Sequence, residues 1–285
     1  MTPAGAGPKR KLKWIVCLVF LCCGGVFRPA WSQDVLFKAV DTGNLAWAAA
    51  LIRGGADVNA RDRYGETPIY FASSAAMAAL LIKHGAKVNV RDRHGSEPLA
   101  TAAMFGNGAV AALLIKHGAE VNVWDSSGRT ALFLAGSRDV AALLIRHGAQ
   151  VNAMNDGGTP LVNAARSRMP ESRAIAVLLI NHGANVNAQD RFGRTPLYIA
   201  ARAGRLGLAK LLLAHGADAD VWEMRGETPL IAASMYGHIA AVKLLIAHGT
   251  DINMRDREGY TALGRAESQH HARVAAVLRA HGAKV

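Results

Sequence analysis

"AALLIKHGA" occupies residues 78–86 and recurs letter for letter at 111–119, and "AALLIRHGA" follows at 141–149. Looser copies begin at residues 48, 176, 209, 242 and 275, so the eight starts are separated by 30, 33, 30, 35, 33, 33 and 33 residues. A period near 33 marks a stacked array of small units. One such unit cannot bury its own apolar face and does so against the next. A second motif keeps step with the first: "GETPI" at 65–69, "GSEPL" at 95–99, "GRTAL" at 128–132, "GGTPL" at 157–161, "GRTPL" at 193–197, "GETPL" at 226–230 and "GYTAL" at 259–263. Between the two motifs run VNA or VNV and then an acid, as at Asp62, Asp92, Asp125, Asp190 and Asp256.

The repeat at 193–227 shows what one unit does. Thr195 followed by Pro196 reads as a helix N-cap and first helical residue, a hydroxyl for a free N–H and a ring whose missing N–H is not needed there. Residues 197–204 form a short first helix ending at Gly204, and 206–216 a second one with Leu208, Leu211 and Leu212 at helical spacing. Gly216 suits the left-handed residue after a helix end. Residues 217–227 then make a connecting finger. Repeats two and four run about three residues short, which predicts a shortened turn between their helices, and repeat five is longer at 167–172.

The joint recurrence of G-x-T-P-L, LL-x-x-G-A and V-N-A at one period resembles the ankyrin-repeat family, over about 250 residues. The resemblance implies an all-α solenoid of about eight helix–turn–helix units with β-hairpin-like finger loops. Its parts would be an N-terminal capping repeat at 33–60, six repeats at 61–254 and a C-terminal capping repeat at 255–285, the last with a polar outer stretch, "ESQHHAR", at 267–273. The family's usual His after T-P-L is replaced by Tyr70, Ala100, Phe133, Val162, Tyr198, Ile231 and Gly264, which removes an expected source of polar bonding between repeats.

The start of the chain differs from the rest. Lys9, Arg10, Lys11 and Lys13 precede an apolar run at 14–27, and Ala30 and Ser32 follow as the small residues of a cleavage site. This order reads as a secretory signal peptide over 1–32. A retained membrane anchor is disfavoured because the run is shorter than the roughly 20 residues a span needs. Lipid attachment at Cys22 or Cys23 is disfavoured by bulky Phe20 and Leu21 before them. The whole chain carries 33 basic and 21 acidic residues, a net +12; losing Lys9, Arg10, Lys11, Lys13 and Arg28 leaves 28 against 21, or +7. The three cysteines leave as well, so the mature chain has no disulfide or thiol chemistry. A periplasmic or secreted location is the expectation.

No catalytic, cofactor-binding or metal site is expected. The His-Gly pairs at His84, His117, His147, His182, His215, His248 and His281 fall in the last turn of each second helix. There an imidazole bonds free carbonyls and favours the negative end of the helix dipole. A metal ladder is excluded by spacing, since stacked helices lie about 8–10 Å apart whereas two ligands of one zinc each lie within about 2.1 Å of it. "GNGAVA" at 106–111 imitates a dinucleotide loop without the preceding strand.

What remains is surface. The resemblance puts partner contacts at the finger tips and on the concave face of the first helices. The tips carry Arg61, Arg63, Tyr64, Arg91, Arg93, His94, Trp124, Arg191, Phe192, Arg194, Trp222, Arg225, Arg255 and Arg257; the first helices carry Met104, Phe105, Met235 and Tyr236. Arginine with large aromatics is the composition of binding hot spots. The expected function is a monomeric, exported, non-catalytic scaffold binding a protein with an acidic surface. Nucleic acid is not expected for an exported chain, and membrane association is expected only if the leader is retained. The alternative is an envelope-surface protein holding anionic lipid or polysaccharide through its basic fingers.

Overall fold

A computed structural model describes residues 31–285, with side chains from Asp34 onward. The expected leader, 1–32, lies outside the described residues except for Trp31 and Ser32, which fall in the first turn of the opening helix, Trp31–Asp41. Eight helix pairs follow one another. The first helix of each is Trp31–Asp41, Pro68–Phe71, Pro98–Met104, Ala131–Leu134, Pro160–Arg166, Pro196–Arg202, Pro229–Met235 and Ala262–Ser268. Their partners are Leu45–Arg53, Ala75–Lys83, Gly108–Lys116, Arg138–Arg146, Ser172–Asn181, Leu206–Ala214, Ile239–Ala247 and Ala272–Ala280. Where first helices keep full length they approach one another more closely than second helices do, so the stack bends toward them and they form its inner side. We call the two sets inner and outer.

The recurring sequence becomes a ladder. The second leucine of each LL pair, Leu81, Leu114, Leu144, Leu179, Leu212, Leu245 and Leu278, is fully buried. Ala78, Ala111, Ala141, Ala176 and Ala209, three residues before, are equally buried and let helices approach closely. Leu99, Leu132, Leu161, Leu197, Leu230 and Leu263 of the inner helices complete the core. Burying one such leucine contributes about 1.5–3 kcal/mol, so stability accumulates along the array.

The shortening of repeats two and four falls in the helix, not in the turn. Their inner helices are four residues long instead of seven, while the connection to the outer helix keeps three residues, 72–74 and 135–137. Ser74 and Ser137 then cap the outer helices by accepting from Met77 N and Val140 N. The truncation disables the Thr cap: Thr67 and Thr130 make no cap bond, and the Thr67 hydroxyl is buried without a partner. In the full-length inner helices of repeats five to eight, Thr159, Thr195, Thr228 and Thr261 cap as their motif implies.

Polar bonding between repeats is ample despite the absent imidazoles. The asparagine of each V-N-A segment clamps the next repeat. Asn122 Nδ2 donates to the Gly148 carbonyl at 2.9 Å, and its Oδ1 accepts from Gln150 N at 2.9 Å. Asn59, Asn89, Asn152 and Asn187 repeat the clamp. At the sixth repeat Asp220 takes the asparagine's place and has no N–H to give. There Thr250, standing where the other repeats have alanine, donates its hydroxyl to the Asp220 carboxylate, which also accepts from Asp251 N at 3.0 Å. Two tyrosines fill the imidazole position: Tyr70 donates to the Val90 carbonyl at 2.6 Å and lies 2.7 Å from that of Ser96, and Tyr198 donates to Glu227 Oε2 at 2.7 Å.

Seven of the eight outer helices end on a His-Gly pair, and the first, Leu45–Arg53, ends on Gly54 and Gly55. Gly148 has φ +82°, a left-handed conformation that a Cβ opposes. The sequence predicts carbonyl bonding for all seven histidines; among the described residues the rings of His248 and His281 alone in that series make it, to the carbonyls of Leu244 and Val277, each at 2.8 Å.

Candidate functional surface

The fingers are turns locked by their acids. Asp62 Oδ1 accepts from Tyr64 N at 2.8 Å and Glu66 N at 2.9 Å, and Asp92, Asp125, Asp190 and Asp256 do the same in their own fingers. Glu223 and Asn155 substitute in the remaining two. Among the described residues the fingers form no strand ladder, only an isolated bridge between Asn155 and Gly158. Single backbone bonds tie one tip to the next: Arg93 N to Tyr64 O at 2.9 Å, Ser126 N to His94 O at 2.7 Å, Met224 N to Phe192 O at 2.8 Å and Arg257 N to Arg225 O at 2.9 Å. The row is therefore held in one arrangement before any partner arrives, which lowers the ordering cost of binding.

This framework divides the expected arginines into two groups. Arg61 Nη1 donates to the carbonyls of Gly65 at 2.9 Å and Arg91 at 2.7 Å, joining two fingers. Arg91 reaches the buried Glu97 at 3.4 Å, Arg194 pairs with Asp190 at 2.8 Å, and Arg255 donates to Gly259 O at 2.6 Å and Val285 O at 2.8 Å. These four are tied to the fold by bonds of their own. Arg63, Arg93, Arg191, Arg225 and Arg257 are exposed and make no ion pair among the described residues.

Several guanidiniums lie over exposed rings. Arg63 sits 4.7 Å from the centroid of Tyr64, and Arg191 and Arg194 sit 4.7 and 4.6 Å from that of Phe192. Trp124 and Trp222 are exposed at the position before the finger acid. Met154 holds the same position and is 58% exposed, although its sequence gave no aromatic to draw attention to it. His94 is exposed beside Arg93.

The inner-helix residues form a separate set. Phe105, 76% exposed, and Met104 lie at the C-terminal end of the inner helix of repeat three, and Tyr236 holds the place of Phe105 in repeat seven. A seven-residue helix, about 10 Å long, separates this end from the fingers. Arg202 donates to the Tyr236 hydroxyl at 2.8 Å and lies 5.1 Å from its ring centroid; the hydroxyl, by accepting that bond, raises the guanidinium's pKa. Met235 is half-buried and offers less surface than expected. The structure thus gives a continuous finger row and two isolated aromatic positions four repeats apart.

Spacing in the sequence did not reveal the arginines that act behind the row. Arg166 joins Arg194 on Asp190 at 2.8 Å from another repeat, and Arg265 bridges Asp256 at 2.6 Å and Glu258 at 3.0 Å while covering Tyr260 at 4.4 Å. Among the described residues no three His, Cys, Asp or Glu side chains converge as metal ligands, and no helix is long and apolar enough to cross a membrane.

Comparison with protein families agrees with this architecture. The family model "Ankyrin repeats (3 copies)" matches residues 78–155 and 217–285, "Ankyrin repeats (many copies)" matches 179–231, and "Ankyrin repeat" matches 156–191. No curated protein matches the chain.

Proposed function

The chain belongs to the ankyrin-repeat family, a fold that generally mediates protein–protein interaction, and from that premise we propose that it is an exported, non-catalytic scaffold whose finger row binds the acidic face of another protein. The observation that carries this reading is the set of exposed guanidinium–aromatic pairs at Arg63–Tyr64 and Arg191–Phe192, on fingers bonded to their neighbours. A cation over a ring contributes about 0.5–1 kcal/mol at an exposed site and more when a partner desolvates it. The unpaired charges at Arg63, Arg93 and Arg257 speed encounter with an acidic surface. Export rests on the basic, apolar and small-residue order of residues 1–32.

The test starts from a cross-linking pull-down that identifies the partner, followed by affinity measurements over a range of salt. Arg63→Glu with Arg93→Glu should weaken binding and flatten its salt dependence while leaving thermal stability within about 0.5 kcal/mol, because neither side chain holds the fold. Unchanged affinity and salt response would refute the finger row. Co-sedimentation with anionic vesicles lacking protein would favour the envelope-surface alternative. Protein recovered from fractionated cells should begin at Gln33; an intact Met1 on membrane-bound material would contradict export.

A further inference from the structure

Repeat five departs from its neighbours on the edge away from the fingers. Its two helices are joined by five residues, 167–171, where every other described pair is joined by three. The longer connection carries Arg168 alongside Arg205 of the next repeat. Arg205 is fixed: its Nη1 donates to the carbonyls of Ala165, at 2.9 Å, and Ser167, and its Nη2 lies 3.4 Å from that of Arg166. Burial, and then the like charge of Arg168, lower its pKa below the ordinary arginine range. Arg173 completes the group. Its guanidinium carbon lies 3.2 Å from where a Cβ on Gly207 would stand, so the bare glycine leaves room for it against the helix Leu206–Ala214.

Together Arg168, Arg173 and Arg205 line an open groove of about 360 Å³ with Ser167, Ser172 and the start of the helix Leu206–Ala214, and no acidic residue lines it. The nearby acid, Glu171, spends an oxygen on Arg138 N of repeat four at 2.7 Å. Three guanidiniums therefore share one concavity without a counter-charge. A planar carboxylate is satisfied by one guanidinium fork. Two guanidiniums uncommitted among the described residues, Arg168 and Arg173, beside the fixed charge of Arg205 suit an ion with more acceptor oxygens and more than one negative charge.

We propose that this groove binds a phosphate or sulfate group, with Arg205 as the fixed anchor and Arg168 and Arg173 closing on the anion from the outer-helix side. The site is distinct from the finger row and does not depend on it. The shared chemistry is a tetrahedral dianion, whether free in solution or carried on a lipid headgroup.

The full chain is titrated with inorganic phosphate at constant ionic strength, following the thermal midpoint and the amide signals of residues 167–173 and 205–208. Phosphate should raise the midpoint and shift those amides. Arg168→Ala with Arg173→Ala should weaken the response roughly tenfold or more, since two charge-assisted bonds are lost, whereas Arg63→Ala with Arg93→Ala should leave it intact. Arg205 is left in place because it holds backbone carbonyls. Phosphatidylcholine vesicles containing phosphatidic acid separate the sources. Groove-dependent co-sedimentation assigns the anion to a lipid headgroup, and a groove-dependent response to inorganic phosphate alone assigns it to a free ion. A groove variant that responds to both probes as the wild type does overturns the proposal.

Discussion

Glu97 stands where repeats five to eight place the capping threonine, and replacing it by threonine should stabilise the protein. Its carboxyl is 4% exposed, its Oε2 has no partner, and its Oε1 receives only a long bond of 3.4 Å from Arg91. A buried acceptor left unsatisfied costs about 1–3 kcal/mol. A threonine hydroxyl would in addition cap the helix Pro98–Met104, as Thr195 caps its own by accepting from Tyr198 N at 3.1 Å, which contributes about 0.5–2 kcal/mol. Loss of the half-exposed Arg91 contact removes about 0–1 kcal/mol. The expected net gain for Glu97→Thr is roughly 0.5–5 kcal/mol at neutral pH. Burial holds the Glu97 carboxyl above the usual carboxylate range, outweighing the opposing influence of Arg91. A carboxyl with a raised folded-state pKa favours folding fully below its unfolded pKa and loses that contribution as pH rises through the folded value. The advantage of the variant should therefore shrink as pH falls into the carboxylate range. Urea unfolding at pH 7 and at pH 4 measures both effects. A loss of stability at pH 7, or a gain that does not change between the two, would refute the reasoning.

Four further outcomes follow from the same geometry. Leu144→Ala, at a fully buried rung, should cost about 3–5 kcal/mol in denaturant unfolding. A Cβ at Gly148 meets no atom within 4 Å, but Gly148→Val forces φ +82° on a branched residue and should cost about 1 kcal/mol or more through backbone strain, read in the same assay. His270 adopts φ +59°, so His270→Gly should stabilise the last repeat by about 0.5–1 kcal/mol, visible as slower hydrogen exchange there. Arg61→Ala should lower the thermal midpoint by removing the bonds to Gly65 and Arg91, and Arg63→Ala should not.

The contrast between Arg61 and Arg63 shows where reading the sequence stopped. Both flank Asp62 and both are exposed, yet one joins two fingers and the other is free. The difference depends on a carbonyl thirty residues away. The leucine ladder, the helix-ending glycines and the finger acids were legible because each obeys a rule within its own unit. The asparagine of V-N-A was visible as a letter, but its partners at Gly148 and Gln150 belong to the next unit. The missing residues of repeats two and four were legible as a count. Their removal from the inner helix became visible only in the conserved three-residue connection of the fold. The split of the surface into a finger row and a distant Phe105 was hidden because both ends of one short helix are close in sequence.

The exchanged pair at Asp220 and Thr250 makes one junction of the array unlike the others. Units joined by Asn59, Asn89, Asn122, Asn152 or Asn187 present one and the same polar joint, so an unequal crossover that deletes or duplicates one of them rejoins like with like. The junction after repeat six differs: Asp220 has no N–H to give, and one of its carboxylate oxygens accepts from both the Thr250 hydroxyl and Asp251 N. Asp220 and Thr250 thus act as one matched pair at that junction, where the other joints rest on a single asparagine and the backbone it meets.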